Sequence, residues 1–312
     1  MTTSGLTTFN LDINDLIEEA FERCGKQVRT GYDLRTARRS INLLTIEWAN
    51  RGINLWTVEQ GQIVLNTGQA IYPIPTDTID LLDTTIRQNN GSQSNQIDIN
   101  ISRISESTYL TLPNKNTQGR PIQLWINRQS GNVASVANTT VATGYPISST
   151  DTTITLTNAS TLPTQGFVNI GSETIGYQNI VGNQIVNAWR GQNGTTAASH
   201  SAGASVYNNN LPCINVWPTP NSPGDQYTFV YYRLRRMQDA GDGSRTEDIP
   251  FRFINCMVAG LAYQLSMKLV EVDPNRIPML KAEYEQQWQL ASDEDREKAP
   301  IRFVPRTMWY GY

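Results

Sequence analysis

Among residue types that do chemistry, the sequence holds one histidine and three cysteines. Neither set has catalytic spacing. His200 sits in Ala198-Ser-His-Ser-Ala202. A serine triad needs a histidine oriented by a carboxylate with a serine in reach, and no Gly-x-Ser-x-Gly nucleophile elbow is present. A lone histidine in such a turn reads as solvated. Cys24, Cys213 and Cys256 are far apart and odd in number. They fit neither a disulfide framework nor a zinc cage and read as reduced, buried thiols. There is no Gly-x-x-x-x-Gly-Lys phosphate loop and no Gly-x-Gly-x-x-Gly fingerprint, so neither cofactor nor metal is expected. Glycan hydrolysis needs two carboxylates about 5–9 Å apart. Between Val133 and Tyr207 only Asp151 and Glu173 qualify. Glu18-Glu19, Glu283, Glu285 and the Asp293–Glu297 cluster, like that pair, read better as solvated faces. The expectation is a protein that is not an enzyme, with Glu173 or another carboxylate as the acid should it be one.

The composition narrows the classes further. In 312 residues the hydrophobic fraction is 38%, the charged fraction 17% and the formal net charge −3. Ser, Thr, Asn and Gln fill the gap, which favours β-structure with solvated faces over charge-driven disorder. A pI near 5.3 argues against a general nucleic-acid binder, which carries a basic field. No run approaches the ~20 apolar residues of a membrane span. The best, Ile254 to Val270, is interrupted by Asn255, Gln264 and Lys268. Met1-Thr-Thr-Ser-Gly5 has neither a basic start nor an apolar stretch, so no signal peptide is expected.

The elements follow from periodicity. Asp12 can cap a helix with Ile13, Leu16, Ile17, Ala20, Phe21 and Cys24 on one face, closed by Gly25. Asp33 reads as the cap of a second helix, with Leu34, Ala37, Ile41, Leu44 and Trp48 inward, ending at Arg51-Gly52. Its other face carries Arg35, Arg38, Arg39 and Glu47. From Leu55 the period becomes two, with Asn66-Thr-Gly68 as a turn. Strands are expected over Ile79–Ile86, Ile97–Ile101 and Pro121–Arg128, with a short helix over Ser102–Tyr109.

Between Val133 and Tyr207 the charged residues are Asp151, Glu173 and Arg190 alone. Alternating runs at Thr153–Leu156, Gly166–Ile170, Glu173–Gln178 and Gln184–Trp189 point to a small all-β domain inserted between Gln123–Asn127 and Ile214–Trp217. An alternating strand, Gln226–Arg235, follows. A long helix is expected from about Pro250, with Ile254, Val258, Leu261, Leu265 and Leu269 inward. Asp273-Pro274 reads as the start of a last helix striped by Ile277, Leu280, Tyr284, Trp288 and Ala291. The fold class is α+β: a helical bundle from N- and C-terminal helix pairs, packed with a mainly antiparallel β-layer, plus the insert. The expected divisions are 1–132 with 208–299 as a discontinuous core, 133–207 as the insert, and 300–312 as an extended C-terminal arm.

With no catalytic set, interaction surfaces remain. Arg35, Arg38 and Arg39 on the second helix, and Arg233, Arg235 and Arg236 at a strand end, can meet phosphate, the acidic last helix or a neighbouring subunit. As the subunit interface we take Arg35, Arg38, Arg39, Arg235 and Arg236. The arm combines Arg302, Phe303, Arg306, Trp309, Tyr310 and Tyr312 with helix-forbidding prolines. Such residues anchor interfaces at about 2 kcal/mol or more each when buried.

The order of these segments resembles the head-to-tail adaptor (connector) proteins of tailed, especially short-tailed, bacteriophages. The resemblance rests on Leu34-Arg-Thr-Ala-Arg-Arg-Ser-Ile-Asn-Leu-Leu44 with Glu47-Trp48, and on Gly68-Gln-Ala-Ile-Tyr-Pro-Ile-Pro75. It continues through Gly119-Arg-Pro-Ile122, Val216-Trp-Pro-Thr-Pro220, Tyr231-Tyr-Arg233 and Gly260-Leu-Ala-Tyr-Gln-Leu265. The insert resembles small β-modules of phage structural proteins, with Gly171-Ser-Glu-Thr-Ile175 as its core phrase. Compact adaptors of this type lack it. The resemblance implies a virion protein at the head-tail junction, forming a dodecamer ring between a portal protein and a tail nozzle protein. Genomic DNA would pass through the ring on ejection, and the arm (Arg302, Phe303, Arg306, Trp309, Tyr310, Tyr312) would bind the portal. The insert would face outward, where a tail fibre or tailspike attaches. Two alternatives stay open: a virion-associated peptidoglycan hydrolase with Glu173 or another carboxylate as acid, and glycan or receptor binding through the insert with Trp189 and Tyr177 as stacking surfaces.

Overall fold

The computed structural model describes residues 5, 9–52, 55–221, 227–270 and 272–295. The arm residues Arg302, Phe303, Arg306, Trp309, Tyr310 and Tyr312 lie outside them. The α-helices are α1 (Ile13–Arg23), α2 (Gly31–Arg51), α3 (Glu106–Leu110), α4 (Ile254–Ser266) and α5 (Arg276–Glu294). Asp12 caps α1, its carboxylate accepting from the Asp15 amide at 2.8 Å. On α2 the expected cap moves three residues. Thr30 is the N-cap and Asp33 the reciprocal partner, accepting from the Thr30 amide at 3.0 Å. A capping box uses both residues, and a sequence reading that admits only the acid picks the wrong end of it. Gly52 closes α2 with φ +76, the left-handed geometry glycine favours.

The last helix also starts later than Asp273. Its N-cap is Asn275, without a side-chain cap bond, while Asp273 accepts from the Asn275 amide in the preceding turn at 2.9 Å. Helix α4 ends at Ser266, so Leu269 lies beyond it, although still packed on the same cluster. Of the short helix expected over Ser102–Tyr109, residues 102–103 are strand and only Glu106–Leu110 coil.

The chain divides into two compact units: residues up to Val58 with those from Arg236, and Glu59–Arg235. The first unit holds α1, α2, α4 and α5 around one hydrophobic cluster that includes Ile13, Leu16, Phe21, Ile41, Leu44, Met257, Leu261 and Leu280. Each such burial contributes about 1.5–3 kcal/mol. Trp48, fully buried, lies 5.4 Å from Phe253 and 5.3 Å from Trp288 between ring centroids. Its indole donates to the Tyr284 hydroxyl at 3.0 Å. Gly260 lets α4 approach closely: a Cβ there would lie 2.9 Å from both Leu44 and Tyr284.

The second unit is mostly sheet. Val58–Val64, Tyr227–Arg235, Thr78–Gln88 and Ile97–Asn100 form one sheet in that order, and Ile71–Pro73, Cys213–Trp217, Gln123–Asn127 and Ser102–Arg103 another. Cys213–Trp217 and Gln123–Asn127, the strands flanking residues 133–207, pair antiparallel from Cys213↔Asn127 to Trp217↔Gln123. Within the stretch between them lie a five-stranded sheet, ordered Trp189–Gln192, Glu173–Tyr177, Gly166–Ile170, Ser205–Asn209, Thr139–Thr140, and a three-stranded one. A separate hydrophobic cluster is drawn entirely from residues 141–206, including Val141, Ile154, Val168, Ile175, Tyr177 and Val206. The protein is thus mixed α+β with mainly antiparallel sheets, as expected. No described helix is long and apolar enough to cross a membrane.

Candidate assembly surfaces

Glu173, Arg190 and His200 of the β-rich unit converge on one point. Glu173 opens a strand whose five residues are all buried. Its carboxylate accepts a bidentate pair from Arg190, Nε at 2.8 Å and Nη2 at 2.7 Å. It also meets His200 Nε2 at 2.7 Å and accepts from the amides of Gly191 at 3.0 Å and Ala198 at 3.1 Å. Arg190 further donates to the carbonyls of Ala198 at 2.6 Å and Asp151 at 3.2 Å. The side chains of Glu173, Arg190 and His200 are 0%, 7% and 9% exposed. Two expectations are overturned: neither His200 nor Glu173 is solvated. Burial alone raises a carboxyl pKa, but the bonds from Arg190, His200, Ala198 and Gly191 outweigh it and hold Glu173 at about 2. An acid catalyst must hold its proton near working pH. Glu173 does not, and its oxygens already have partners. This is a clamp joining the strand to the loops at 148–151 and 190–200.

The expected stacking pair also separates. Tyr177 is fully buried, its hydroxyl donating to the Pro163 carbonyl at 2.9 Å; Trp189 is half-buried. The three cysteines are buried, as expected. Burial pushes the thiols up, Cys24 to about 11 and both Cys213 and Cys256 to about 12. Among the described residues no cluster of His, Cys, Asp and Glu is suited to a metal ion.

The basic residues divide by use. Arg35 and Arg39 are exposed on α2. Arg38 turns onto its own chain, donating to Asn14 at 3.3 Å. Arg235 donates to Glu59 at 2.6 Å, and Arg233 donates to Glu59 at 2.8 Å and also bonds Asp77. Arg236 is exposed immediately after that strand. The acidic last helix is met by residues that sequence reasoning passed over: Arg23 reaches Glu283 at 2.8 Å and Arg51 reaches Glu285 at 2.9 Å. Arg51 also lies over the Trp288 ring, 4.8 Å from its centroid. Their signal was weak, one basic residue in the last turn of each of α1 and α2.

Beside α1 and the start of α4 runs an open groove of about 610 Å³. Phe9 and Phe251 line it and are 70% and 75% exposed. Asp15, Glu18, Glu19 and Glu22 edge it from α1, and Arg23 and Arg252 also line it. The helical unit therefore presents a groove with an acidic edge on α1, and two exposed arginines on α2 without an ion-pair partner among the described residues.

Glu173, Arg190 and His200 thus form a buried ion cluster, and the helical unit carries the groove and two exposed arginines. A family model described as SU10 adaptor protein matches residues 107–304, more than half of the chain, so the chain belongs to the SU10 adaptor protein family. It is a bacteriophage structural adaptor protein, a component of the virion, in line with the resemblance to head-tail adaptors. None of the curated proteins matches it.

Proposed function

We propose that this adaptor assembles into a closed dodecameric ring at the head-tail junction, joining the portal protein to the tail nozzle and letting genomic DNA pass. Membership of the adaptor family is the observation that carries the reading. In it, the helices of both chain ends form the bundle, packed with the β-layer, and residues 133–207 are the inserted module, turned outward towards a fibre or tailspike. The arm, through Arg302, Phe303, Arg306, Trp309, Tyr310 and Tyr312, docks on the portal. A net charge of −3 suits a channel that must not grip passing phosphates, since tight binding requires many cationic contacts. In this reading the chain acts without catalysis; Glu173, the first acid named for the hydrolase alternative, is held as an enclosed carboxylate.

A heterologous head-to-tail contact closes into a ring when its rotation permits. Charge complementarity supports one such contact, the Arg35 and Arg39 face of α2 in one copy against the acidic α1 groove of the next. Arg38 and Arg235 bond within their own chain, to Asn14 and Glu59. The test is a charge swap in chains co-expressed with the portal protein of the same phage. Arg35→Glu with Arg39→Glu, or Glu18→Lys with Glu22→Lys, each abolishes rings in electron micrographs, and mixing the two variants restores them. Rings that persist in both single-sided variants would overturn this interface. Absence of any ring from the unmodified protein on its portal would overturn the adaptor-ring reading itself.

A further inference from the structure

A second concavity, of about 410 Å³, lies wholly within the β-rich unit. Its size falls in the range of small-ligand clefts, roughly 300–1,000 Å³. Its lining includes Asn116, Gln118, Gln178, Asn179, Asn187 and Trp189, and no charged residue. The cavity offers no side-chain countercharge to a phosphate, a carboxylate or a metal ion, which favours an uncharged ligand.

The carboxamides are the informative part. None of the side chains of Asn116, Gln118, Gln178, Asn179 and Asn187 has a hydrogen-bond partner among the described residues. Gln178 is the decisive one, because it is only 9% exposed. Elsewhere in the unit the fully buried Gln69 donates to the Ile71 carbonyl at 2.7 Å. The Gln178 amide opens on the cavity rather than being sealed off, so a ligand there can take the place of the water that otherwise meets it. Gln178 sits where the chain leaves strand Glu173–Tyr177 of the five-stranded sheet and enters Asn179–Val181 of the three-stranded one. Its backbone is therefore held from both sides. Gln118 faces it from another sheet, its amide 3.8 Å from where a Cβ on Gly68 would stand.

Each carboxamide offers both donors and an acceptor, matching hydroxyl groups, which are also donor and acceptor at once. Trp189 adds a half-buried aromatic surface suited to the apolar face of a sugar ring. We propose that this cavity binds an uncharged saccharide. The site is independent of ring assembly and differs from one confined to residues 133–207, because Asn116 and Gln118 come from outside that stretch. Tyr177 has no part in it.

The test uses the full chain and saturation-transfer NMR. The probes are uncharged di- and trisaccharides of glucose, galactose, mannose, rhamnose and N-acetylglucosamine, alongside uronate-containing saccharides and a Gln/Asn-rich peptide. At least one uncharged saccharide is expected to bind. Gln118→Ala and Asn116→Ala, both at exposed positions, should together weaken it about tenfold or more without changing the melting temperature, and Trp189→Ala should abolish detectable binding. The proposal fails if no uncharged saccharide binds more tightly than on the order of 10 mM. It fails equally if only the charged saccharides or the peptide bind, or if binding survives both the amide and the tryptophan substitutions.

Discussion

Glu173 and Glu247 show how the same residue type takes opposite roles according to what surrounds it. Glu173 is held as a carboxylate, its pKa lowered from 4.5 to about 2. The stability it supplies is present above about pH 4.5 and is lost as pH falls towards 2, because protonation removes the acceptor that Arg190 and His200 need. Removing one member of a buried ion pair leaves the other uncompensated, at about 3–5 kcal/mol. Glu173→Gln is therefore expected to lower denaturant-unfolding stability by that order, which chemical denaturation followed by circular dichroism would measure. Glu247 runs the other way. Burial raises its pKa to about 7, outweighing the Asp248 amide bond, and Asp248 and Asp239 add repulsion. One of its oxygens is buried without a partner. The unfolded chain releases this proton first, so stability is full below about pH 4.5 and falls as pH rises through 7. Glu247→Gln should raise the melting temperature at pH 8, by the equivalent of about 1–2 kcal/mol, and change it little at pH 4. A variant that melts lower at pH 8 would contradict this.

At the level of elements, the helices were the most legible part, since a 3.6-residue apolar period and a polar cap are both local signals. The α1 stripe from Ile13 to Cys24 is buried as its spacing required. Cap identity was less legible: Thr30, not Asp33, is the α2 N-cap. Thr30→Ala should cost about 1 kcal/mol in a thermal melt, while a substitution at Tyr32, exposed on the same turn, should be near neutral. On α4 the burial runs almost all round, from Cys256 through Ala262, so its neighbours and not its period decide its contacts. Gly260→Val would push a branched side chain against Leu44 and Tyr284. Overpacking of this kind typically costs about 1–3 kcal/mol, readable as a shift of the denaturation midpoint. The strands misled in a different manner. Alternation implies one solvated face, yet Glu173–Tyr177 is buried on both, because sheets and loops from distant sequence cover it.

For the whole molecule, the adaptor reading makes the C-terminal arm dispensable for folding and necessary for docking. Deleting Pro300–Tyr312 should leave the melting temperature unchanged and abolish co-purification with the portal protein. A truncated chain that still binds the portal would show that the arm is not the anchor. The family match begins at residue 107, so the later quoted segments, from Gly119 to Leu265, fall within it. The two N-terminal ones, Leu34–Trp48 and Gly68–Pro75, lie outside it and drew on the order of elements.

Local order determined what could be seen without coordinates: the capped helices, the pairing partners on either side of residues 133–207, the buried thiols and the adaptor resemblance. These depend on neighbours within a few residues or on the succession of elements. Tertiary structure alone decided the rest. Glu173, Arg190 and His200 are separated by 17 and 10 residues in the sequence and look like unrelated polar positions. Folding brings them to one buried point, where the Glu173 carboxylate meets both the Arg190 guanidinium and the His200 ring. Gln118 and Gln178 likewise share a cavity only because two sheets meet there. Nothing in either segment's composition marks an amide that will be left without a partner.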